Sequence, residues 1–329
     1  MSTLAPTLQA FFTDRLIGQR HASGHTIAGY RDSFRLLLRF AAEHTRTPAS
    51  ELDFADLDAP LVAAFLNHLE TDRGNSARTR SARLAAIHSL FRYAALRHPE
   101  DAAVIARVLA IPPKRFNRAL ITYLTEEEIA ALLAAPDRST WTGRRDHALL
   151  MLACQTGLRA TELTSLTVGD VHLGTGAHVG CLGKGRKQRI TPLTATTVTV
   201  LDAWLAERGG LPADPLFATR RGGPLSRDAL QRRLAKYTAT AALSCPTLPE
   251  KKVSPHVLRH SAAMRLLEAG IDATVIALWL GHEKVATVQT YIHADLALKE
   301  RALARTAPRD TPTGRYRPPD AVLAFLDGL

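Results

Sequence analysis

Apolar residues at helical spacing run through the first third of the chain and constrain its fold more than any other feature of the sequence. In His25–His44, Tyr30, Phe34 and Leu37 lie three or four residues apart, and strand-like alternation is absent throughout this part of the chain. Residues 1–110 are therefore predicted to form a compact helical domain. Three further helices with the same spacing are predicted at Ala5–Arg20, Asp58–Glu70 and Ser76–Arg97.

Residues 111–120, IPPKRFNRAL, combine two prolines with three basic side chains. This composition is typical of a linker, and Lys114 and Arg115 are candidates for contacting phosphate. A basic linker between two domains suggests that the domains close around a polyanion. An ordinary exposed connector stays open as the alternative.

Residues 121–305 are predicted to form a second domain, mostly helical with a small β-sheet. Thr125 and Glu128 have the spacing of a capping box, which predicts a helix start at TEEEIAALLAA. Residues 177–192 indicate a β-hairpin with a basic turn. The other predicted helices are Arg145–Cys154, Ala195–Arg208, Ser226–Ala242, Pro255–Ala269, Asp272–Leu280 and Thr287–Arg305.

Two stretches of the second half depart from this pattern. Residues 243–252 are expected to be loosely structured. Residues 306–329 are predicted to form a flexible tail that ends in a short apolar helix, PDAVLAFLDGL. A helix of two to three turns is not stable alone, so this segment is expected to dock on its own chain or on a neighbour.

The charge of the chain favours a polyanionic partner. The formal net charge is +11, and residues 1–115 carry 15 basic against 11 acidic side chains, so both halves are basic. The three cysteines lack CxxC spacing, which argues against a zinc site and fits a reducing cytoplasm. No signal peptide or membrane-spanning run is expected.

Two motifs follow the first helices of the second half. In TGLRATEL, Arg159 comes just after the bend expected at Gly157, and Glu162 could orient its guanidinium. In GKGRKQR, Lys184 stands between two glycines in the hairpin turn. A surface Arg–Glu pair and a solvated basic turn remain the simpler interpretations of each motif. Three other basic residues of the turn are candidates for phosphate contacts: Arg186, Lys187 and Arg189.

Two further motifs stand near the end of the predicted second domain. In SPHVLRH, Ser254 and Pro255 suit a helix start, so His256 and Arg259 share a face in the first turn. In LGHEKVATVQTYIH, His282 follows a helix end at Gly281, and Tyr291 comes nine residues later. A capped helix with polar side chains and a core tyrosine remain the plain alternatives.

Taken together and in order, TGLR, GKG, HxxR, LGH and a tyrosine nine residues later resemble the tyrosine recombinase (phage-integrase) family. The resemblance covers roughly residues 120–305. It implies a helical core-binding domain followed by a mixed α/β catalytic domain, with Glu162 in a supporting role. It also implies that the catalytic residues are Arg159, Lys184, His256, Arg259, His282 and Tyr291.

This resemblance implies an enzyme that cleaves and rejoins DNA through a 3′-phosphotyrosine, without a cofactor or metal. Tyr291 would be the nucleophile, His256 the candidate base and Lys184 the candidate acid. The expected partners are double-stranded DNA with a specific recombination site and either a homo-tetramer or related recombinases. A role in a mobile element is favoured. The alternatives are a type IB topoisomerase, a non-catalytic accessory protein and a metal-dependent hydrolase built on four histidines, His256, His260, His282 and His293.

Overall fold

The computed structural model describes residues 3–115, 121–183, 188–281 and 288. The chain divides into two compact units, Met1–Ala119 and Leu120–Leu329. The predicted fold class, mainly helical with a small sheet, is confirmed. Within the described ranges, every helix is too short or too polar to span a lipid bilayer.

The first unit is a bundle of helices around an aromatic core. Ser23, Asp58 and Ser76 cap three of the helices by accepting a backbone hydrogen bond from the first turn. Phe11 contacts Phe34 edge to face at 6.0 Å between ring centroids, and both rings are buried. The helices are α1 (Leu4–Ala10, continued by a π-helical segment at Phe11–Gln19), α2 (Gly24–Thr45), α3 (Ala59–Thr71), α4 (Ala77–Ala94) and α5 (Ala102–Leu109).

Helix α5 is absent from the sequence-based prediction. It has only eight residues, and two of them, Ile105 and Val108, are buried in the hydrophobic core of the first unit. A helix of about two turns is too short to be stable by itself, so tertiary packing of its apolar residues stabilises it. The other helices of this unit lie close to their predicted ranges.

The second unit packs helices around a three-stranded antiparallel sheet with the order β1-β2-β3. The strands are β1 (Val171–His172), β2 (His178–Leu182) and β3 (Gln188–Pro192). The predicted hairpin is confirmed, whereas the two-residue strand β1 is too short to show alternation. The helices are α6 (Glu126–Ala134), α7 (Trp141–Thr156), α8 (Ala160–Ser165), α9 (Ala195–Arg208), α10 (Arg227–Ala241), α11 (Pro255–Glu268) and α12 (Ala273–Leu280).

Register directs one face of the hairpin into the second unit. Val179 pairs with Thr191 and Cys181 with Arg189, and the first three of these side chains are buried. Because strand residues alternate between faces, Arg189 points to the same inner face. A basic side chain is thus directed from β3 towards the interior of this unit.

Several predicted features fall on residues outside the described ranges. They are Lys184, Arg186 and Lys187 in the hairpin turn, His282, Tyr291, and the tail 306–329. Of the helix predicted over Thr287–Arg305, only Val288 is described.

Candidate active site

A left-handed glycine positions the first arginine of the site. Helix α7 ends at Thr156, and Gly157 adopts φ +63°. A Cβ on Gly157 would lie 2.8 Å from Leu280 Cδ2 and 3.0 Å from Ala262 Cβ, so both its conformation and its surroundings favour glycine. The chain turns sharply here, and Arg159 follows at the start of α8, as TGLR predicts.

Arg159 is held by a carboxylate and a carbonyl. Its Nη1 donates to Glu162 Oε1 at 2.8 Å, and its Nη2 donates to the Gly281 carbonyl at 3.0 Å. The backbone N–H of Arg159 also donates to Glu162 Oε2, at 2.7 Å. Glu162 is 4% exposed, so this is not the solvated surface pair that the sequence left open.

Arg189 shares the same carboxylate. Its Nη1 and Nη2 donate to Glu162 Oε1 and Oε2 at 3.0 and 2.7 Å, and its side chain is 11% exposed. Although burial opposes ionisation, the hydrogen bonds from Arg189 and Arg159 lower the pKa of Glu162 to about 2. Arg189 is therefore paired with the Glu162 carboxylate, and it does not have the exposed position expected of a phosphate contact.

The second arginine comes from the capped start of α11. Ser254 Oγ accepts a hydrogen bond from the Val257 backbone, and Pro255 opens the helix, as predicted. Arg259, 3% exposed, donates from Nη1 to the Gly157 carbonyl at 2.8 Å and from Nη2 to the Leu280 carbonyl at 2.6 Å. Two helix ends therefore fix the Arg259 guanidinium.

A cavity of about 310 Å³ brings these groups together. It is lined by Arg159, Ala160, Thr161, Arg227, Pro255, His256 and Arg259. Partial burial, followed by the positive charges of Arg259 and Arg159, lowers the pKa of His256 below its ordinary value of 6.5. A neutral imidazole beside two arginines can accept a proton from a group held by those arginines.

Arg227 is a cavity residue that the motif pattern missed. It is exposed in the first turn of α10 and makes no hydrogen bond or ion pair within the described part of the chain. The only signal in the sequence is a basic residue directly after Ser226, the first residue of the helix predicted over Ser226–Ala242. The ring of His260 contacts the ring of His256, with 4.1 Å between the two centroids.

The candidate phosphate contacts of the first unit lie at its C-terminal end. Lys114 Nζ donates to both carboxylate oxygens of Glu70, at 3.0 and 3.1 Å, and remains 56% exposed. Arg115 is exposed. Both side chains can still reach solvent, and their contact with phosphate stays a prediction.

The expectation that residues 243–252 are loosely structured is wrong. Thr247 Oγ1 and Lys251 Nζ donate to the buried Glu128 carboxylate, both at 2.7 Å, and Leu248 is fully buried. Glu128 also accepts from the Thr125 backbone at 2.8 Å, so the capping box is confirmed. This long-range anchor joins the approach to α11 with the start of α6, and local sequence could not reveal it.

Comparison with known proteins agrees with this fold. Residues 122–297 match the phage integrase family, and residues 10–98 match its N-terminal SAM-like domain. The predicted integrase/recombinase y4rC of Sinorhizobium fredii is 53% identical over 328 residues, covering 100% of this chain and 99% of that protein. Tyrosine recombinase XerD of Pseudomonas putida is 31% identical over 305 residues, 91% of this chain and 96% of XerD.

A solved structure supports the same conclusion. XerH site-specific recombinase, bound to difH substrate in a pre-cleavage complex, matches with a TM-score of 0.66 and 25% identity. The match covers 89% of this chain and 83% of XerH. The fold and the relatives are thus those of a site-specific tyrosine recombinase. The chain belongs to the phage integrase family, which confirms the resemblance and decides against the topoisomerase, accessory-protein and metal-hydrolase alternatives.

Proposed function

We propose that this recombinase cleaves one DNA strand at a time at a specific site, with Tyr291 as the nucleophile and a 3′-phosphotyrosine as the intermediate. The observation that carries the proposal is the cavity in which Arg159, His256 and Arg259 meet. Guanidinium forks match the oxygens of a phosphodiester, so the cavity suits the scissile phosphate.

The two arginines stabilise the charge that develops on the non-bridging oxygens in the transition state. Because protein carbonyls and Glu162 orient both guanidiniums before DNA binds, little reorganisation is needed. His282, next to Gly281, adds a further hydrogen bond to the phosphate. This arrangement takes the place that divalent ions have in metal-dependent nucleases.

The phenol of Tyr291 must lose its proton to attack, since its ordinary pKa is about 10. The Tyr291 oxygen forms a bond to phosphorus, the bond from phosphorus to the 5′ oxygen breaks, and neutral His256 takes the phenolic proton. Lys184 protonates the departing 5′ oxygen. A 5′ hydroxyl of another strand then reverses these steps and releases Tyr291, so no ATP is consumed.

The basic residues outside the cavity hold the DNA backbone. The proposed phosphate contacts are Arg186 and Lys187 in the hairpin turn and Lys114 and Arg115 at the C-terminal end of the first unit. We further propose that four copies of the chain assemble on two duplexes. λ integrase was solved as a tetramer on a Holliday junction, which supports this assembly by analogy, and XerH was solved with its difH substrate bound, which supports DNA as the partner.

A role in integration or transposition is also proposed. It is supported by the integrase/recombinase relative that matches the whole chain, whereas the XerC and XerD relatives are compatible with other roles. Cytoplasmic location stays a prediction. Recovery of junction DNA from the flanks of the gene after expression of the protein would support movement of an element, and unchanged flanks would oppose it.

Covalent trapping tests the proposed chemistry. The protein is incubated with nicked duplexes from its genomic neighbourhood, and adducts that resist SDS are measured. We expect an adduct with the wild type and none with Tyr291→Phe, because phenylalanine lacks the attacking oxygen. Tyr237→Phe is the matched control, since the Tyr237 hydroxyl donates to the buried Asp146 and lies outside the cavity lining. An adduct that persists in Tyr291→Phe would exclude this residue as the nucleophile.

A further inference from the structure

Arg189 is the one basic residue of the hairpin motif that the structure describes, and it is turned away from solvent. It lies on β3 opposite Cys181, and its guanidinium meets Glu162 in a forked ion pair. A forked pair fixes both the distance and the plane of the two groups. Strand β3 is therefore connected through Arg189 to the start of α8.

Glu162 has its acceptor capacity filled by two arginines. Each carboxylate oxygen accepts one hydrogen bond from Arg189 and one from Arg159, the latter through either its side chain or its backbone. While Arg189 occupies one side of the carboxylate, Arg159 keeps only one side-chain bond to it. Without Arg189, Glu162 could accept both Nη groups of Arg159 and turn that guanidinium away from the cavity.

The Arg189 guanidinium also lies close to the turn that ends α12. Gly281 has φ +65°, and a Cβ added there would lie 2.7 Å from Arg189 Nη1 and 3.2 Å from its Cζ. The Arg189 guanidinium thus passes close to the backbone of Gly281, whose carbonyl accepts from Arg159 Nη2. Because Gly281 has no side chain, the Arg189 guanidinium has room beside its backbone, one residue before His282.

We propose that Arg189 is a positioning residue: through Glu162 and Gly281 it fixes the Arg159 guanidinium and links the catalytic cavity to the hairpin whose turn carries Lys184. The inference rests on the proposed roles of Arg159 and Tyr291. It assigns to Arg189 an effect on strand cleavage and no direct contact with a DNA phosphate. Lysine could keep the positive charge at this position, but it lacks the two Nη groups with which Arg189 donates to both carboxylate oxygens of Glu162.

The test compares Arg189→Lys and Arg189→Gln with the wild type. Three quantities are measured: the rate of covalent adduct formation at saturating nicked DNA, the salt dependence of the DNA dissociation constant, and the melting temperature. Arg189→Lys retains a charge opposite Glu162 and is the variant expected to keep the fold if Arg189→Gln does not. Arg144→Gln is the matched control, because Arg144 makes an equally forked pair with Glu207 near the opposite end of α7.

We expect adduct formation to fall about 100-fold in Arg189→Lys, the effect of a small misplacement of a catalytic group. The dependence of binding on salt should stay unchanged, since loss of a phosphate contact would reduce its logarithmic slope by about 0.9. Arg144→Gln should cleave like the wild type. A reduced slope for either Arg189 variant, or wild-type cleavage by folded Arg189→Lys, would overturn the inference.

These outcomes are separable from failure of the proposed function. If the wild type forms no adduct, or Tyr291→Phe forms one, the assigned chemistry fails. If the wild type forms an adduct that Tyr291→Phe lacks and Arg189→Lys is equally active, only the positioning role fails.

Discussion

At the scale of single residues, the site is organised by a buried carboxylate. Glu162 lies between Arg159 and Arg189, and the three groups together carry a single positive charge. Removing one member of such a cluster leaves a buried charge without its partner, which costs more than loss of a surface pair. Glu162 thus affects both the position of Arg159 and the stability of the second unit.

Glu162→Gln is expected to lower the free energy of unfolding at pH 7 by about 3 kcal/mol. The pKa of Glu162 is about 2 in the folded protein against an ordinary 4.5, so its stabilising effect is present above pH 4.5 and is lost as the pH falls towards 2. Urea unfolding at pH 7, 4.5 and 3 would measure this. Glu207→Gln, which breaks the exposed pair with Arg144, should cost only about 0–1 kcal/mol. Equal losses in the two variants would contradict the prediction.

His256 gives the reaction an expected pH dependence. Its pKa is lowered in the free protein, so the imidazole is neutral at pH 7 and becomes protonated only below its ordinary value of 6.5. If His256 is the base, the apparent second-order rate constant for adduct formation should fall on acidification, with a midpoint below 6.5, because that constant reports the free enzyme. His256→Gln should be slower by roughly 100-fold or more and lack this fall. A midpoint above 6.5 would argue against the assignment.

At the scale of secondary-structure elements, the site depends on how helix ends are held. The C-terminal ends of α7 and α12 supply the carbonyls of Gly157 and Leu280 to Arg259, and the capped start of α11 supplies Arg259 itself. The approach to α11 is anchored on α6 through Glu128. Burial acts to raise the pKa of Glu128, but hydrogen bonds from Lys251 and Thr247 outweigh this effect and keep the pKa below its ordinary value.

Lys251→Met tests this anchor. The substitution leaves the buried Glu128 carboxylate without its cation, so we expect a loss of roughly 1–3 kcal/mol in stability. Residues 243–252 should also become more sensitive to protease. Lys252→Met is the control, because Lys252 is exposed and makes no ion pair within the described residues. If the two variants were equally stable, the anchor would contribute little.

At the scale of the whole molecule, both halves of the sequence are basic and the active groups come from distant parts of the second unit. The excess of basic side chains in each half suits a partner with an extended phosphate backbone. The C-terminal residues 308–329 lie beyond the catalytic motifs, and their apolar segment PDAVLAFLDGL suits docking on a neighbouring copy.

Deletion of residues 308–329 is expected to leave binding to a single DNA site intact and to reduce higher-order complexes at least several-fold. The reason is that the segment cannot stabilise itself and gains stability only by docking. Native gels and sedimentation with DNA would measure both species. Asp327→Ala in the full chain is the control, since it keeps the apolar residues of the segment. Full assembly by the truncated protein would contradict the prediction.

The local features of the site were predictable because short-range rules govern them. The caps at Thr125 and Ser254 and the helix ends at Gly157 and Gly281 follow from side-chain hydrogen bonds and from the left-handed conformation. Their positions locate Arg159, His256 and Arg259 at element boundaries. The helical class and the hairpin followed in the same way from the period of apolar residues.

The sequence by itself determined the family, the helical class, the hairpin and the order of the proposed catalytic residues, because periodicity, capping and motif spacing act over a few residues. Only the tertiary structure decided that Arg189 forms an ion pair with Glu162, that Arg227 lines the cavity and that residues 243–252 are anchored on Glu128. These features join residues 27 to 123 positions apart, or elements distant in sequence. Burial and hydrogen-bond partners at such separations are set by the packing of the whole unit, and no local pattern encodes them.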